Sequence, residues 1–91
     1  MIIAVEAIEG TDKCIIRGCK LARKKNAIVV KVAKPEQDMR FDIPTVGLRT
    51  LKTMKRNGAH VLALEAGRTI IVEQEKMITY ANKHKMIIVA V

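Results

Sequence analysis

Short runs rich in isoleucine and valine recur along the chain, and most are separated by stretches whose apolar residues keep helical spacing. The runs are Ile2 to Ile8, Ala27 to Ala33, His60 to Glu65, Arg68 to Glu73 and Met86 to Val91. Between them, Asp12 to about Lys24, Thr45 or Val46 to about Asn57, and Glu75 to Lys85 read as helices. The predicted order is therefore βα-β-loop-α-ββ-αβ. Strands alternating with helices predict an α/β fold with a mixed, mainly parallel five-stranded sheet and three helices packed on it. The mixed character comes from His60–Glu65 and Arg68–Glu73, which Ala66-Gly67 would join as an antiparallel hairpin.

Local signals set the limits of these elements. Thr11 or Asp12 is the expected N-cap of the first helix, with Ile15, Cys19 and Ala22 on its inward stripe and Asn26 as its stop. Leu48, Leu51 and Met54 face inward on the second helix, which Asn57-Gly58 ends, and Met77, Ile78 and Ala81 do so on the third. The chain has 91 residues, of which 49% are apolar, yet it holds one Phe, one Tyr and no Trp. One domain spanning residues 1–91, with an aliphatic core, is what that length and composition allow. The longest purely apolar runs are far too short to span a bilayer, and no signal peptide is expected before the first strand, so the cytoplasm is the default location. Cys14 and Cys19 lie about 140° apart around a helix, unable to bridge or share a metal, and read as small buried hydrophobes.

With 17 basic residues against 9 acidic, the net charge is +8, which favours an anionic partner. The carboxylates are not scattered. Glu6, Glu9 and Asp12 form one group, and Glu36, Asp38 and Asp42 another. Acids concentrated in this way suit a magnesium–phosphate site better than a nucleic-acid surface. The scarcity of aromatics also argues against binding single strands by base stacking.

The segment from Lys34 to Pro44 carries the strongest local pattern. Read as extended chain, it turns Asp38, Arg40 and Asp42 to one side and Met39, Phe41 and Ile43 to the other. Pro35 and Pro44 fence it, which predicts an ordered connector that carries a site. Four strand residues span about 13 Å, so Asp38 and Asp42 cannot share one metal ion while the segment stays extended. Asp38 is favoured for the active role because Lys34 and Gln37 just before it could hold phosphate oxygens. An exposed Asp-Arg-Asp ladder of little energetic consequence is the plain alternative.

Two further segments are candidates. In Glu6…Glu9-Gly10-Thr11-Asp12, a strand end leads into a helix N-terminus, where free N–H groups suit phosphate and the carboxylates could hold a shared cation. In Glu65-Ala66-Gly67-Arg68-Thr69, Arg68 could clamp an anion, or simply pair with Glu65 across the turn. His60 and His84 have no partners at metal or triad spacing.

Taken together, Ala4–Asp12, Lys31–Gly47 and Glu65–Thr69 resemble the C-terminal domain of the UDP-2,3-diacylglucosamine pyrophosphatase family, the branch unlike calcineurin-type phosphoesterases. The resemblance implies a bacterial hydrolase of lipid A biosynthesis that yields UMP and 2,3-diacylglucosamine 1-phosphate with a divalent cation, usually Mg2+. It places the essential aspartate at Asp38 or Asp42. It gives Lys34, Arg40 and Arg68 the role of offsetting phosphate charge; together with the residue-level reading above, the expected substrate or phosphate contacts are Gly10, Thr11, Lys34, Gln37, Arg40, Arg68 and Thr69, and the expected metal contacts Asp38, Glu6, Glu9 and Asp12. Family members carry an N-terminal Rossmann-like domain that is absent from this chain, so a separate domain or a second copy would complete the pocket. The substrate is a nucleotide-sugar lipid, which allows transient contact with the inner-membrane surface; no specific nucleic acid is expected. The alternative is a non-catalytic anion-binding or assembly module of the same fold.

Overall fold

Which face of each element is buried decides where a site can form. The computed structural model describes residues 1–23, 26–33 and 43–91. In order, these build α1 (Thr11–Leu21), β1 (Ile28–Lys31), β2 (Thr45–Val46), α2 (Leu48–Asn57), β3 (Val61–Leu64), β4 (Ile70–Ile71), α3 (Gln74–Lys83) and β5 (Ile87–Ala90). The fold is α/β with three helices and five strands, as expected, but the strands form two sheets. One has the order β1-β3-β5 and the other pairs β2 with β4. Each of these pairings is parallel.

Register assigns the faces of the larger sheet. Val29, Leu62 and Ile88 lie side by side, as do Lys31, Leu64 and Ala90. Leu62 and Leu64 are buried against Ile15 and Cys19 of α1, Leu51 and Met54 of α2, and Met77 and Ala81 of α3. All three helices therefore contribute to one core on that side. The opposite face carries Ile28, Val61 and Ile87 in one row and Val30, Ala63 and Val89 in the next. It stays open: Ile28 is 62% exposed and Ile87 55%. The runs Ala27–Ala33 and Met86–Val91 thus have one face toward the helices and one open.

Several local expectations change. Ile2 to Ile8 forms no strand. Its apolar content suits a ladder, but its groups find other partners: Arg17 donates from Nη2 to the Val5 carbonyl at 3.0 Å, and Ala4 seats its Cβ where Gly18 has none. The anticipated hairpin is also absent. Ile70 and Val72 donate instead to Pro44 and Val46, which aligns β4 with β2 in parallel, while Ala66 donates to Val91. Thr45 and Val46, expected to open a helix, are strand residues because β4 is there to pair with them. Gly10, not Thr11 or Asp12, is the N-cap of α1, with no side-chain cap. Ile78 lies on the solvent side of α3 at 47% exposure, off the stripe made by Met77 and Ala81. The end of α2 is as read: Gly58 takes the left-handed conformation at φ 89°, and Ala59 donates back to Met54 at 3.0 Å.

Candidate functional site at the carboxyl edge of the sheet

Parallel strands bring their carboxyl ends to a single edge, where ligands of open α/β sheets collect. Here β1, β3 and β5 end there at Lys31, Leu64 and Ala90. The link from this edge to α1 is made by Lys31. Its half-buried side chain lies on the helical face, and Nζ donates to Thr11 Oγ1 at 2.9 Å. The Thr11 hydroxyl in turn donates to Glu6 Oε2 at 3.0 Å. A lysine, a hydroxyl and a carboxylate are thereby strung across the start of α1. The first α-helical hydrogen bond is Cys14 N–H to the Gly10 carbonyl, so the N–H groups before it have no partner within the helix. A cation beside free N–H donors and the positive end of a helix dipole is suited to an anion such as a phosphate.

The other two carboxylates of this region are already neutralised. Arg17 clamps Glu9 through two contacts, Nε to Oε2 at 3.2 Å and Nη2 to Oε1 at 2.5 Å. That hydrogen-bonded guanidinium holds the Glu9 carboxyl below its ordinary range and raises Arg17 above its own. Asp12 pairs across to α2, with Arg49 Nε 2.7 Å from Oδ2. Among the described residues, no three of Asp, Glu, His or Cys converge in a way that could hold a metal ion. Both cysteines are free thiols, and burial pushes each of them up.

At the end of β3, Glu65 Oε1 accepts the backbone N–H of Ala33 at 3.0 Å. The anticipated Glu65–Arg68 ion pair does not form. Only backbone joins the two: Arg68 N–H reaches the Glu65 carbonyl at 3.2 Å in a turn containing Gly67 at φ 75°, and the Arg68 side chain is exposed. Thr69 Oγ1 is buried and has no hydrogen-bond partner among the described residues. Gly10, Thr11 and Glu6 are therefore brought together around Lys31; Glu9 and Asp12 lie nearby in separate ion pairs; Arg68 and Thr69 follow β3 at the same edge. Lys34, Gln37, Asp38, Arg40 and Asp42 lie outside the described residues. Sequence reasoning missed Lys31 and the backbone grip of Glu65. A lone lysine closing the apolar strand from Ile28 was the available signal for the first; no pattern announces the second.

An open parallel sheet with helices on one face and a helix start at its carboxyl edge is the architecture of an α/β domain. Comparison with known proteins narrows this. Residues 1–89 match the family model described as the LpxI C-terminal domain. The chain belongs to that family. It is also similar to UDP-2,3-diacylglucosamine pyrophosphatase LpxI of Caulobacter vibrioides, with 35% identity over 89 residues, which covers 90% of this chain and 32% of that protein. The chain thus spans about a third of the relative's length.

Proposed function

We propose that this chain is a domain of a hydrolase that cleaves the pyrophosphate of UDP-2,3-diacylglucosamine to UMP and 2,3-diacylglucosamine 1-phosphate in lipid A biosynthesis. Family membership and the relative's activity support the reading. The observation that carries it in the structure is the Lys31–Thr11 contact, which sets a cation and a hydroxyl at the first turn of α1, whose N–H groups have no partner within the helix. Such a cradle offsets the charge of a phosphate and orients it, while water attacks phosphorus and the anhydride bond breaks. Asp38 or Asp42 is the group assigned to the reacting centre. Because the chain spans about a third of its relative, an N-terminal domain or a second copy is taken to complete the pocket.

The family implies a divalent cation, usually magnesium. The described carboxylates do not fit it: Glu9 and Asp12 are held by arginines and Glu6 by the Thr11 hydroxyl. Of the four proposed ligands this leaves Asp38. No helix among the described residues is long and apolar enough to cross a membrane. The proposed location is the cytoplasm, with transient contact at the inner-membrane surface where a lipid substrate resides.

UMP release tests this reading, measured for the chain alone and for the chain fused behind the N-terminal part of the Caulobacter relative. The fused protein should release UMP, and either Asp38→Ala or Asp42→Ala should lower the rate by about two orders of magnitude or more. Unchanged rates in both variants would refute the assignment. A second reading, an anion-binding module without turnover, is favoured by the arginine-neutralised Glu9 and Asp12 near the Lys31–Thr11 pair. It predicts binding of inorganic pyrophosphate that Lys31→Met weakens, with no UMP released by any form.

A further inference from the structure

The β1–β3 ladder has one rung made by the wrong kind of oxygen. In a parallel pair, a residue that donates to one partner carbonyl accepts, through its own carbonyl, from the residue two further along. Glu65 N–H donates to the Lys31 carbonyl at 3.1 Å, so the Ala33 N–H is due to reach the Glu65 carbonyl. That carbonyl has turned away and accepts from Arg68 N–H at 3.2 Å instead. The Glu65 side chain takes its place, with Oε1 at 3.0 Å from the Ala33 nitrogen. The main chain of β3 thus turns away from β1 at the Glu65 carbonyl, while Ala66 N–H still reaches Val91 on the other side at 2.9 Å. Ala33 is 8% exposed, so its N–H needs a protein partner once water is excluded. Lys34 follows directly, and with it the stretch holding Gln37, Asp38, Arg40 and Asp42.

We propose that Glu65 is a positioning residue: its carboxylate anchors the backbone at Ala33, directly before the stretch of sequence that holds Asp38 and Asp42. The assignment rests on the hydrolase reading above and deepens it. Glu65 touches neither water nor substrate in this role. It acts through the Ala33 amide. A glutamine presents the same oxygen at the same reach, whereas alanine removes it, so the contact depends on an acceptor and not on a charge.

Glu65→Ala and Glu65→Gln separate the possibilities through two readouts. The first is amide hydrogen exchange and chemical shift in the 91-residue chain. In Glu65→Ala, Ala33 should exchange about tenfold faster or more, with shifts moving across residues 34–42 while the Leu62 amide is unchanged; Glu65→Gln should stay within about threefold of the parent. The second is UMP release by the fused protein. There, kcat should fall by about tenfold or more in Glu65→Ala with KM within about twofold, and Glu65→Gln should restore it. An unchanged Ala33 amide in Glu65→Ala overturns the anchor. Faster exchange with unchanged kcat overturns its role in the reaction, as does a Glu65→Gln variant as slow as Glu65→Ala. A parent fusion that releases no UMP overturns the hydrolase reading instead, and the exchange data then still decide whether Glu65 holds the segment.

Discussion

Val30 and Val46 are both strand valines, one 60% exposed on the open face of the larger sheet and the other 3% exposed in the core. Replacing each by threonine keeps the shape and the β-branched preference while adding one hydroxyl, so the two variants differ mainly in what surrounds that hydroxyl. At Val46 the new group is buried against an aliphatic core, which costs about 1–3 kcal/mol without a hydrogen-bond partner. At Val30 it meets water, and the change should stay within about 0.5 kcal/mol. A domain of 91 residues has about 5–14 kcal/mol of total stability, so the first loss is a sizeable fraction of the whole. For a domain of this size, 2 kcal/mol lowers the melting temperature by about 8–16 °C. Thermal and urea unfolding followed by far-ultraviolet circular dichroism at low protein concentration measures both. Equal losses at the two positions would mean that the face of the larger sheet carrying Val30 is covered, and its assignment as the open face would fail.

Two further outcomes follow from local geometry. The Glu9 carboxyl, lowered chiefly by its hydrogen bond to Arg17, should titrate below the ordinary glutamate range in the parent and return toward it in Arg17→Met. Because the folded value is depressed, the stabilisation it brings is present above the unfolded glutamate value and is lost as pH falls through the folded one, so parent and variant stabilities should converge in acid. Gly58→Ala forces a side chain into a left-handed backbone at φ 89° and should cost about 1–2 kcal/mol in urea unfolding, with the α2–β3 connection otherwise intact.

The elements that could be read from the sequence are those whose signal is local. The α2 stop rests on the freedom of glycine at residue 58, and the inward stripes of α1 and α3 at Ile15, Cys19, Met77 and Ala81 follow from helical spacing. The readings that failed needed knowledge of a partner. Ile2–Ile8 has strand composition, but a strand exists only where another edge accepts it, and Arg17 and Gly18 hold part of this stretch against α1. Likewise, nothing within Ile70–Ile71 tells whether its N–H groups will meet β3 or the carbonyls of Pro44 and Val46. The candidate site divides in the same way. Gly10 and Thr11 were visible as a helix start, while Lys31 and Glu65 gained roles only when parallel pairing brought residues distant in sequence to one edge.

The wholly parallel pairing of the described strands also bears on how the chain reaches its folded state. Ile28 meets Val61, Val61 meets Ile87, and Thr45 meets Ile70, each across a connection that includes a helix. Among the described strands there is no hairpin that could zip up first and serve as a seed. Loop-closure entropy must be met before any ladder forms, a topology that folds slowly. The Lys31–Glu65 edge therefore exists only once β1 and β3, separated in sequence by α2, have paired.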